Sequence, residues 1–382
     1  MTSRIPILNI TIGGLFARLL LLLIVAIWTI PTVGLFISSI RDKDQLSVSG
    51  WWNALQTVTT NARARTGSAA DQVEVDGRYV IAGSILPEQT NQSVDSFGGG
   101  FLPGTFTDYP AGVPVELEGG QTFVLNEDGS YVWSSPEPFE IERGVTWFYV
   151  LRNPPRFTLD NYIEVLSTQG VRQSFENTLT ATVPTVILAT SIAALAAYGF
   201  SWLQFPGRRI LSLLVVAMLV VPLQMSLIPV LRLYNELGLG KTYPGIWVAH
   251  TGFGLPIAIF LIRNYMASLP REIIECARMD GANDLQIFTR VVLPLSIPAL
   301  AAYATFEFLW AWNDLLVSLV FLSQHPEQLV LTVKLRDLLG SRGENWEILT
   351  SAAFVSLVVP LFVFFALQRY FVRGLTAGSV KG

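Results

Sequence analysis

Residues 268–298 read SLPREIIECARMDGANDLQIFTRVVLPLSIP, and how this stretch folds decides how the rest of the chain is understood. Pro270 suits the first turn of a helix, where its missing N–H is one of the donors that a helix start leaves unpaired anyway. Gly281 suits a left-handed C-terminal stop, Asn283 is placed to cap a second helix, and Pro294 to end it. The spacing therefore predicts helix, sharp turn, helix. Ile273 and Ala277 share one face of the first helix, and Leu285, Phe288 and Val292 one face of the second. Glu272, Glu275, Arg278 and Arg290 are left for water or a partner. A short hairpin with an apolar seat and a charged rim is a lever, of the kind a membrane pore would present to a soluble motor.

On both sides the chain turns apolar. It has 382 residues, of which 51% are hydrophobic and only 14% charged, and its mean hydropathy is +0.47. Soluble domains carry about 25% charged residues, so the default solvent here is lipid. A spanning helix needs roughly 20 apolar residues because its backbone must pair with itself in hydrocarbon. Stretches near 15–37, 177–200, 210–231, 244–265, 296–321 and 348–371 meet that need. An all-α polytopic protein with six transmembrane helices is expected, and the hairpin falls between the fourth and fifth. Arg4, Arg208, Arg209, Arg263, Arg271, Arg278, Arg290, Arg369, Arg373 and Lys381 all fall on one side, which should be cytoplasmic together with both termini. The opposite short loops hold Arg232, Lys241, Lys334, Arg336 and Arg342. The first apolar run exceeds a signal-peptide core and is followed by Ser38-Ser39-Ile40-Arg41, not a small-residue cleavage site, so an uncleaved anchor is expected.

Residues 38–175 form a hydrophilic insertion on the outer face, too long for an ordinary loop. Its middle reads as β structure. Gln72 to Ile85 carries Asp76-Gly77, and Phe123 to Trp133 carries Asp128-Gly129, between β-branched and aromatic residues, which are hairpin signals. Between them Phe97-Gly98-Gly99-Gly100, Pro103 and Pro110 give loop chemistry. Asp71, Glu74, Asp76, Glu88, Asp95, Asp108, Glu116 and Glu118 place acidity there, against a net charge of -4 for the whole chain. The insertion either guides an external partner or only stabilises the outer face. The expected parts are thus 1–37 (N-terminus and first span), 38–175 (insertion), 176–371 (core, with the hairpin at 266–295) and 372–382 (tail).

Glu275-Cys276-Ala277, Gly281, Val291, Leu293 and Pro294 carry a resemblance. The pattern Glu-Ala-Ala, then Gly four residues later, then Ile-x-Leu-Pro resembles the signature loop of binding-protein-dependent ABC importer permeases; this chain has Cys276 for Ala and Val291 for Ile. Asn177-Thr178-Leu179 and Phe205-Pro206-Gly207-Arg208 resemble the beginning of that family's core domain, and Trp312-Asn313-Asp314 and the ending Gly374 to Gly382 resemble the MalG-like permease subunits of its oligosaccharide-importing branch. The likeness covers about 175–382 plus the first span, and the long insertion looks most like that of α-glucoside permeases. The resemblance implies the type I ABC importer permease fold and a subunit forming half of a pore for oligosaccharides, the expected cargoes being α-glucosides such as maltose, sucrose or trehalose. It implies a MalF-like second permease, two copies of an ABC ATPase, an external sugar-binding protein and a bacterial inner membrane. It implies that Glu275, Ala277, Asp280, Gly281, Leu293 and Pro294 couple the pore to the ATPase. ATP and Mg would then bind the ATPase subunits, with no cofactor on this chain.

In the fifth stretch Tyr303, Glu307, Trp310 and Asp314 recur at helical spacing, with Asn313 alongside. Ionisable groups inside a span are costly and default to functional candidates. Carboxylates that accept from hydroxyls, beside rings that cover a sugar's C–H face, suit a carbohydrate path. Equally, these residues suit hydrogen bonding and packing between helices. Pro222, Pro229 and Pro256, with Gly252 and Gly254, are either hinges or fixed kinks. The outer loop Ser323 to Trp346, with Gly340-Ser341-Arg342-Gly343, sits where maltose-type permeases reach into the binding protein. Gly240-Lys241-Thr242 lacks the earlier glycine of a phosphate-binding loop, since position 235 is Asn. No nucleophile-and-base pattern suggests catalysis, so a transport subunit and not an enzyme is expected. One cysteine, Cys276, and two distant histidines, His250 and His325, exclude an intrachain disulfide and the usual zinc site. The absence of a basic stripe argues against nucleic acid. Two rivals stand beside the importer: a proton-coupled secondary sugar transporter relaying through Glu307 and Asp314, and a membrane-anchored binding or sensor module built on the insertion.

Overall fold

The computed structural model describes residues 4–5, 10–87, 91–98, 108–167, 170–341 and 346–377. Glu88, Gly99, Gly100, Pro103, Arg342, Gly343 and the ending Gly378 to Gly382, with Lys381, lie outside the described residues. The chain divides into two compact units, one of Met1–Asn161 with Glu344–Glu347, the other of Tyr162–Gly343 with Ile348–Gly382.

The first unit opens with a short antiparallel pair, β1 (Arg4–Ile5) and β2 (Ile10–Thr11), followed by α1 (Ile12–Ser39). Leucines, isoleucines and Trp28 stand exposed along α1, the surface of a helix that meets lipid. Asn161 Nδ2 donates to the carbonyls of Ser39 and Arg41, taking up acceptors that a helix end leaves free. Asp42 then caps α2 (Lys43–Leu46) by accepting from the Asp44 N–H. Arg41 is fully buried and donates to the carbonyls of Ser49, Gly50 and Gln45 and to Ser49 Oγ, and burial holds its pKa below the ordinary value.

Among the described residues nine strands follow: β3 (Val58–Arg65), β4 (Val73–Val75), β5 (Arg78–Ser84), β6 (Ser93–Gly98), β7 (Tyr109–Pro110), β8 (Val115–Leu117), β9 (Gln121–Leu125), β10 (Ser130–Ser135) and β11 (Thr146–Asn153). They form antiparallel sheets of order β4-β5-β10-β9-β8 and β3-β11-β6-β7. Asp76 and Gly77 both take positive φ (48° and 76°), the mirror-image turn that matches strand twist, so the Asp-Gly pair closes β4 onto β5. At the β9–β10 turn Asp128 accepts from the Ser130 N–H and hydroxyl, which lowers its pKa, and Gly129 supplies the positive φ. The two sheets share one aromatic core. Phe123 stacks on Trp147 at 4.0 Å, with Phe97 edge-on to both and Trp133 against Phe139.

The unit boundary falls inside α3 (Asp160–Ser167). The second unit continues with α4 (Val171–Trp202), α5 (Arg208–Met218), α6 (Leu223–Glu236), α7 (Tyr243–Ala267), α8 (Arg271–Met279), α9 (Asp284–Ile287), α10 (Leu293–Leu295), α11 (Ile297–Asn313), α12 (Leu316–Phe321), α13 (Leu331–Ser341) and α14 (Trp346–Ala377). Among the described residues four helices are long and apolar enough to cross a membrane: Gly13–Ser39, Val171–Trp202, Tyr243–Ala267 and Trp346–Arg369. The stretches expected to be the remaining two spans hold instead helix pairs bent at a break, Arg208–Met218 with Leu223–Glu236 at 107° and Asp284–Leu295 with Ile297–Asn313 at 73°. Pro222 lies at the first break; Pro294 and Pro298 flank the second, where prolines remove donors and crowd the preceding turn. Pro229 and Pro256 sit inside unbroken α6 and α7, so of the expected hinge positions only Pro222 marks a break.

Three boundaries differ from the sequence reading. The α4 helix begins at Val171, inside the stretch assigned to the insertion. The fifth span does not run on to 321, because α11 stops at Asn313 and α12 restarts at Leu316. Ser323 to Trp346 is no open loop: it contains α13, and Thr178 Oγ1 accepts from the Leu331 N–H at 2.8 Å while Asn177 Nδ2 donates to the carbonyls of Pro326 and Leu329. The core of this unit is the pairing of α4 with α7. Ala189, Ala193 and Ala197 are fully buried at four-residue spacing, and their small side chains let the two backbones approach closely where lipid offers no hydrophobic drive.

Candidate functional site

The hairpin is built by α8, a tight turn and α9. Pro270 is the residue before α8 and not within its first turn. Gly281 takes φ +81°, its N–H donates to the Arg278 carbonyl, and the Ala282 N–H donates to Ala277. A Cβ at Gly281 would meet nothing within 4 Å, so backbone conformation alone calls for glycine there. Asn283 Oδ1 accepts from the Gln286 N–H and Gln286 Oε1 from the Asn283 N–H, both at 2.9 Å, a reciprocal cap that starts α9. Arg278 lies 3.5 Å from Asp284, joining the two arms. Pro294 does not end the second helix; a π-helical turn over Phe288–Val292 carries it on to Leu295, and the chain bends at Ser296.

The residues seated are not those that periodicity picks out, and in the second arm the π turn is the cause. Ile274, Ile287, Phe288 and Val292 are buried, whereas Ile273 and Leu285 are 39% and 66% exposed. The wider turn brings Ile287 and Val292, five apart, to the same side, which a 3.6-residue period does not foresee. Phe288 packs on Tyr198 of α4 at 5.2 Å, and Ile274 and Ala277 join Ile262 and Met266 of α7 in the same cluster. Outward stand Glu272, Ile273, Glu275, Cys276, Met279, Asp280 and Leu285. Leu293 is partly buried against the cluster, and Pro294 is exposed.

The second feature is a polar column between α7 and α11. Tyr303 Oη donates to Glu307 Oε2 at 2.8 Å, and both residues are buried. They face Gly254 of α7, where an added Cβ would stand 2.7 Å from Glu307 Oε2 and 2.9 Å from Tyr303 Oη. One turn back along α7, His250 Nε2 lies 3.6 Å from Asp314 Oδ2, with the Trp310 ring edge-on at 5.3 Å. Asp314 accepts from the N–H groups of Val317 and Ser318, capping α12, and its carbonyl accepts from Thr332 Oγ1. Thus Tyr303, Glu307, Trp310 and Asp314 do share a face, and it is turned to α7. Trp310 also lines a cavity of about 390 Å³ with Tyr234, Ser226, Gly252, Phe253 and Pro256. Asn313 is exposed and donates to the Leu309 carbonyl. Neighbouring Trp312 is buried and donates to the Ser356 carbonyl on α14. His250, set aside earlier as lacking metal partners, is the residue that sequence reasoning missed; its four-residue offset from Gly254 was the available signal.

Gly240-Lys241-Thr242 forms the α6–α7 turn, with Thr242 capping α7 by accepting from the Gly245 N–H. Among the described residues no group of three or more His, Cys, Asp or Glu is placed to hold a metal.

Long apolar helices, two of them broken, a buried polar column and a rigid hairpin beyond the apolar length define an integral membrane transport subunit. Residues 178–377 match the family described as binding-protein-dependent transport system inner membrane component, and the chain belongs to that family. It is therefore a permease subunit with the type I ABC importer fold, not an enzyme, and ATP hydrolysis lies with separate subunits. It is 56% identical over 370 residues to the alpha-glucoside transport system permease protein AglG of Rhizobium meliloti (strain 1021), covering 96% of each chain. It is 52% identical over 238 residues to the osmoprotective compounds uptake permease protein GgtD of Synechocystis, covering 62% of this chain and 80% of that one. Among solved structures, a bacterial ABC transporter involved in import of the acidic polysaccharide alginate is 27% identical, with TM-score 0.49, covering 58% of this chain and 82% of that one.

Proposed function

We propose that this permease forms half of the pore of an importer for α-glucosides, with maltose, sucrose and trehalose as the cargoes to test. The observation that carries the reading is the extent of the likeness to the alpha-glucoside permease: 370 residues, hence the β-sheet unit as well as the helical core. The likeness to the osmoprotectant permease extends over only 238. Its partners are a MalF-like second permease, two ATPase subunits that hold ATP and Mg, and an external sugar-binding protein.

Counting each bent pair as one span gives six, with 38–175 as a β-rich extracytoplasmic insertion. Both termini are cytoplasmic, because Arg208, Arg209, Arg263, Arg271, Arg278 and Arg290 gather where the hairpin lies. The hairpin docks on the ATPase through Glu275, Asp280 and the exposed apolar residues beside them. Ala277 and Gly281 fix its shape, and Leu293 and Pro294 carry its movement into α11. Trp310 offers the ring face over which a sugar slides; Tyr303, Glu307 and Asp314 hold that ring against α7, and Asn313 stands at the outer rim. The test is purification in mild detergent. A second permease and an ATPase pair must accompany the chain, and the assembly with its binding protein must be thermally stabilised by α-glucosides and not by β-linked disaccharides. Isolation alone, or uptake abolished by a protonophore while ATP is maintained, would remove the proposal.

A further inference from the structure

The loop between α4 and α5 and the end of α7 enclose a cavity of about 860 Å³ that the transport reading does not use. Arg208, Arg209 and Arg263 all line it, and its lining includes no carboxylate. Ser201 Oγ donates to the Arg263 carbonyl at 3.2 Å, which ties the α4 end to the α7 end and fixes the cavity walls. The three cations are not equivalent. Arg208 is occupied, donating to the carbonyls of Leu203 and Ser201 and so capping the C-terminus of α4. Arg209 is exposed and has no ion pair among the described residues, and the buried Nε of Arg263 has no acceptor there. Gly207 opens α5 in the left-handed region at φ +81°, no side chain caps the helix, and the space a Cβ would take is empty to 4 Å. The Arg208 N–H is taken by the Phe205 carbonyl, so what the start of α5 adds to this carboxylate-free lining is the positive end of the helix, a field that favours an anion.

What kind of anion is set by the surroundings. From Ile210, itself in the lining, onward along α5, Ile210, Leu211, Leu213 and Leu214 stand 66%, 46%, 68% and 54% exposed. A soluble phosphate would leave that strip unused, whereas acyl chains would lie along it. We infer that Arg209, Arg263 and the N-terminus of α5 hold the phosphate of an anionic phospholipid, whose chains follow the apolar strip. A juxtamembrane cation is worth enough to an anionic headgroup that two of them shift occupancy by roughly tenfold or more.

The test uses the full chain in detergent, loaded with equal amounts of dioleoyl phosphatidylglycerol and dioleoyl phosphatidylcholine and read by native mass spectrometry. Phosphatidylglycerol should be retained about tenfold over phosphatidylcholine. Arg209→Gln with Arg263→Gln should erase that preference, and Arg209→Lys with Arg263→Lys should keep most of it, which separates charge from folding. Excess glycerol 3-phosphate should not displace the lipid. Equal retention of both lipids by the wild-type chain, undiminished preference in the double glutamine variant, or displacement by glycerol 3-phosphate would overturn the inference.

Discussion

Gly254→Ala is a sharp perturbation of the polar column. A methyl at that position stands 2.7 Å from Glu307 Oε2, 2.9 Å from Tyr303 Oη and 3.1 Å from Glu307 Oε1, inside van der Waals contact for all three. Glu307 is fully buried, so its carboxylate has no open space to turn into. Either α7 and α11 separate or the Tyr303–Glu307 bond breaks. Overpacking costs about 1–3 kcal/mol, and a buried donor left unpaired costs about 1–3 kcal/mol. A total near 3 kcal/mol corresponds, for a unit of roughly 200 residues, to a fall of about 6–12 °C in apparent melting temperature. The assay is fluorescence-detected thermal unfolding of the purified chain, run as a double-mutant cycle with Glu307→Ala. Removing the carboxylate makes room for the methyl, so the double variant should be more stable than the sum of the singles by at least about 1 kcal/mol. Strict additivity, or a single variant melting within about 1 °C of wild type, would show that α7 and α11 do not meet at this point.

Other perturbations follow the same logic. Gly281→Val places a β-branched residue at φ +81° and should cost about 1–2 kcal/mol locally; insertion measured by membrane fractionation should persist while sugar uptake and ATPase co-purification fall. Arg41→Ala empties the space of a fully buried side chain and removes its four hydrogen bonds, and should destabilise the first unit by about 3 kcal/mol, read as faster proteolysis between 41 and 160 with the 171–377 core still protected. Phe123→Ala removes the ring stacked on Trp147 and should cost about 3–5 kcal/mol, visible as loss of near-ultraviolet circular dichroism from that cluster. Asp314→Asn keeps the size but weakens the cap on α12 by about 1 kcal/mol, with a matching small drop in melting temperature.

What the sequence made legible was what local chemistry controls. Gly281 and Asn283 announced the hairpin turn because a left-handed stop and a reciprocal cap depend on residues within a few positions. Asp76-Gly77 announced its turn for the same reason. The seat of the hairpin was misread in each arm, by one residue in the first (Ile273 for Ile274) and by two in the second (Leu285 for Ile287), where a π turn, which has no composition of its own, is imposed by what the helix packs against. The helix breaks at 219–222 and 296 were marked by prolines, but their angles depend on neighbours far away in sequence. Periodicity put Tyr303, Glu307, Trp310 and Asp314 on one face correctly; it could not say that the face meets Gly254 and His250, since that pairing belongs to tertiary packing.

The two features of the helical unit share their supports, and this ties the lever to the column. The hairpin hangs between the C-terminus of α7 and the bend that begins α11, and the polar column is the contact between those same two helices. A packed interior transmits displacement because it has few voids to absorb it. At Gly254 the α7 backbone lies against a buried carboxylate with no room for one added carbon, so a shift of α7 at that level must move Glu307 or part the helices. On the hairpin side Phe288 on Tyr198 and Ile274 beside Met266 leave the arms no independent freedom from α4 and α7. The hairpin and the polar column are thus joined through the same two helices, and Gly254 is a point where α7 and α11 approach with no room for an added carbon.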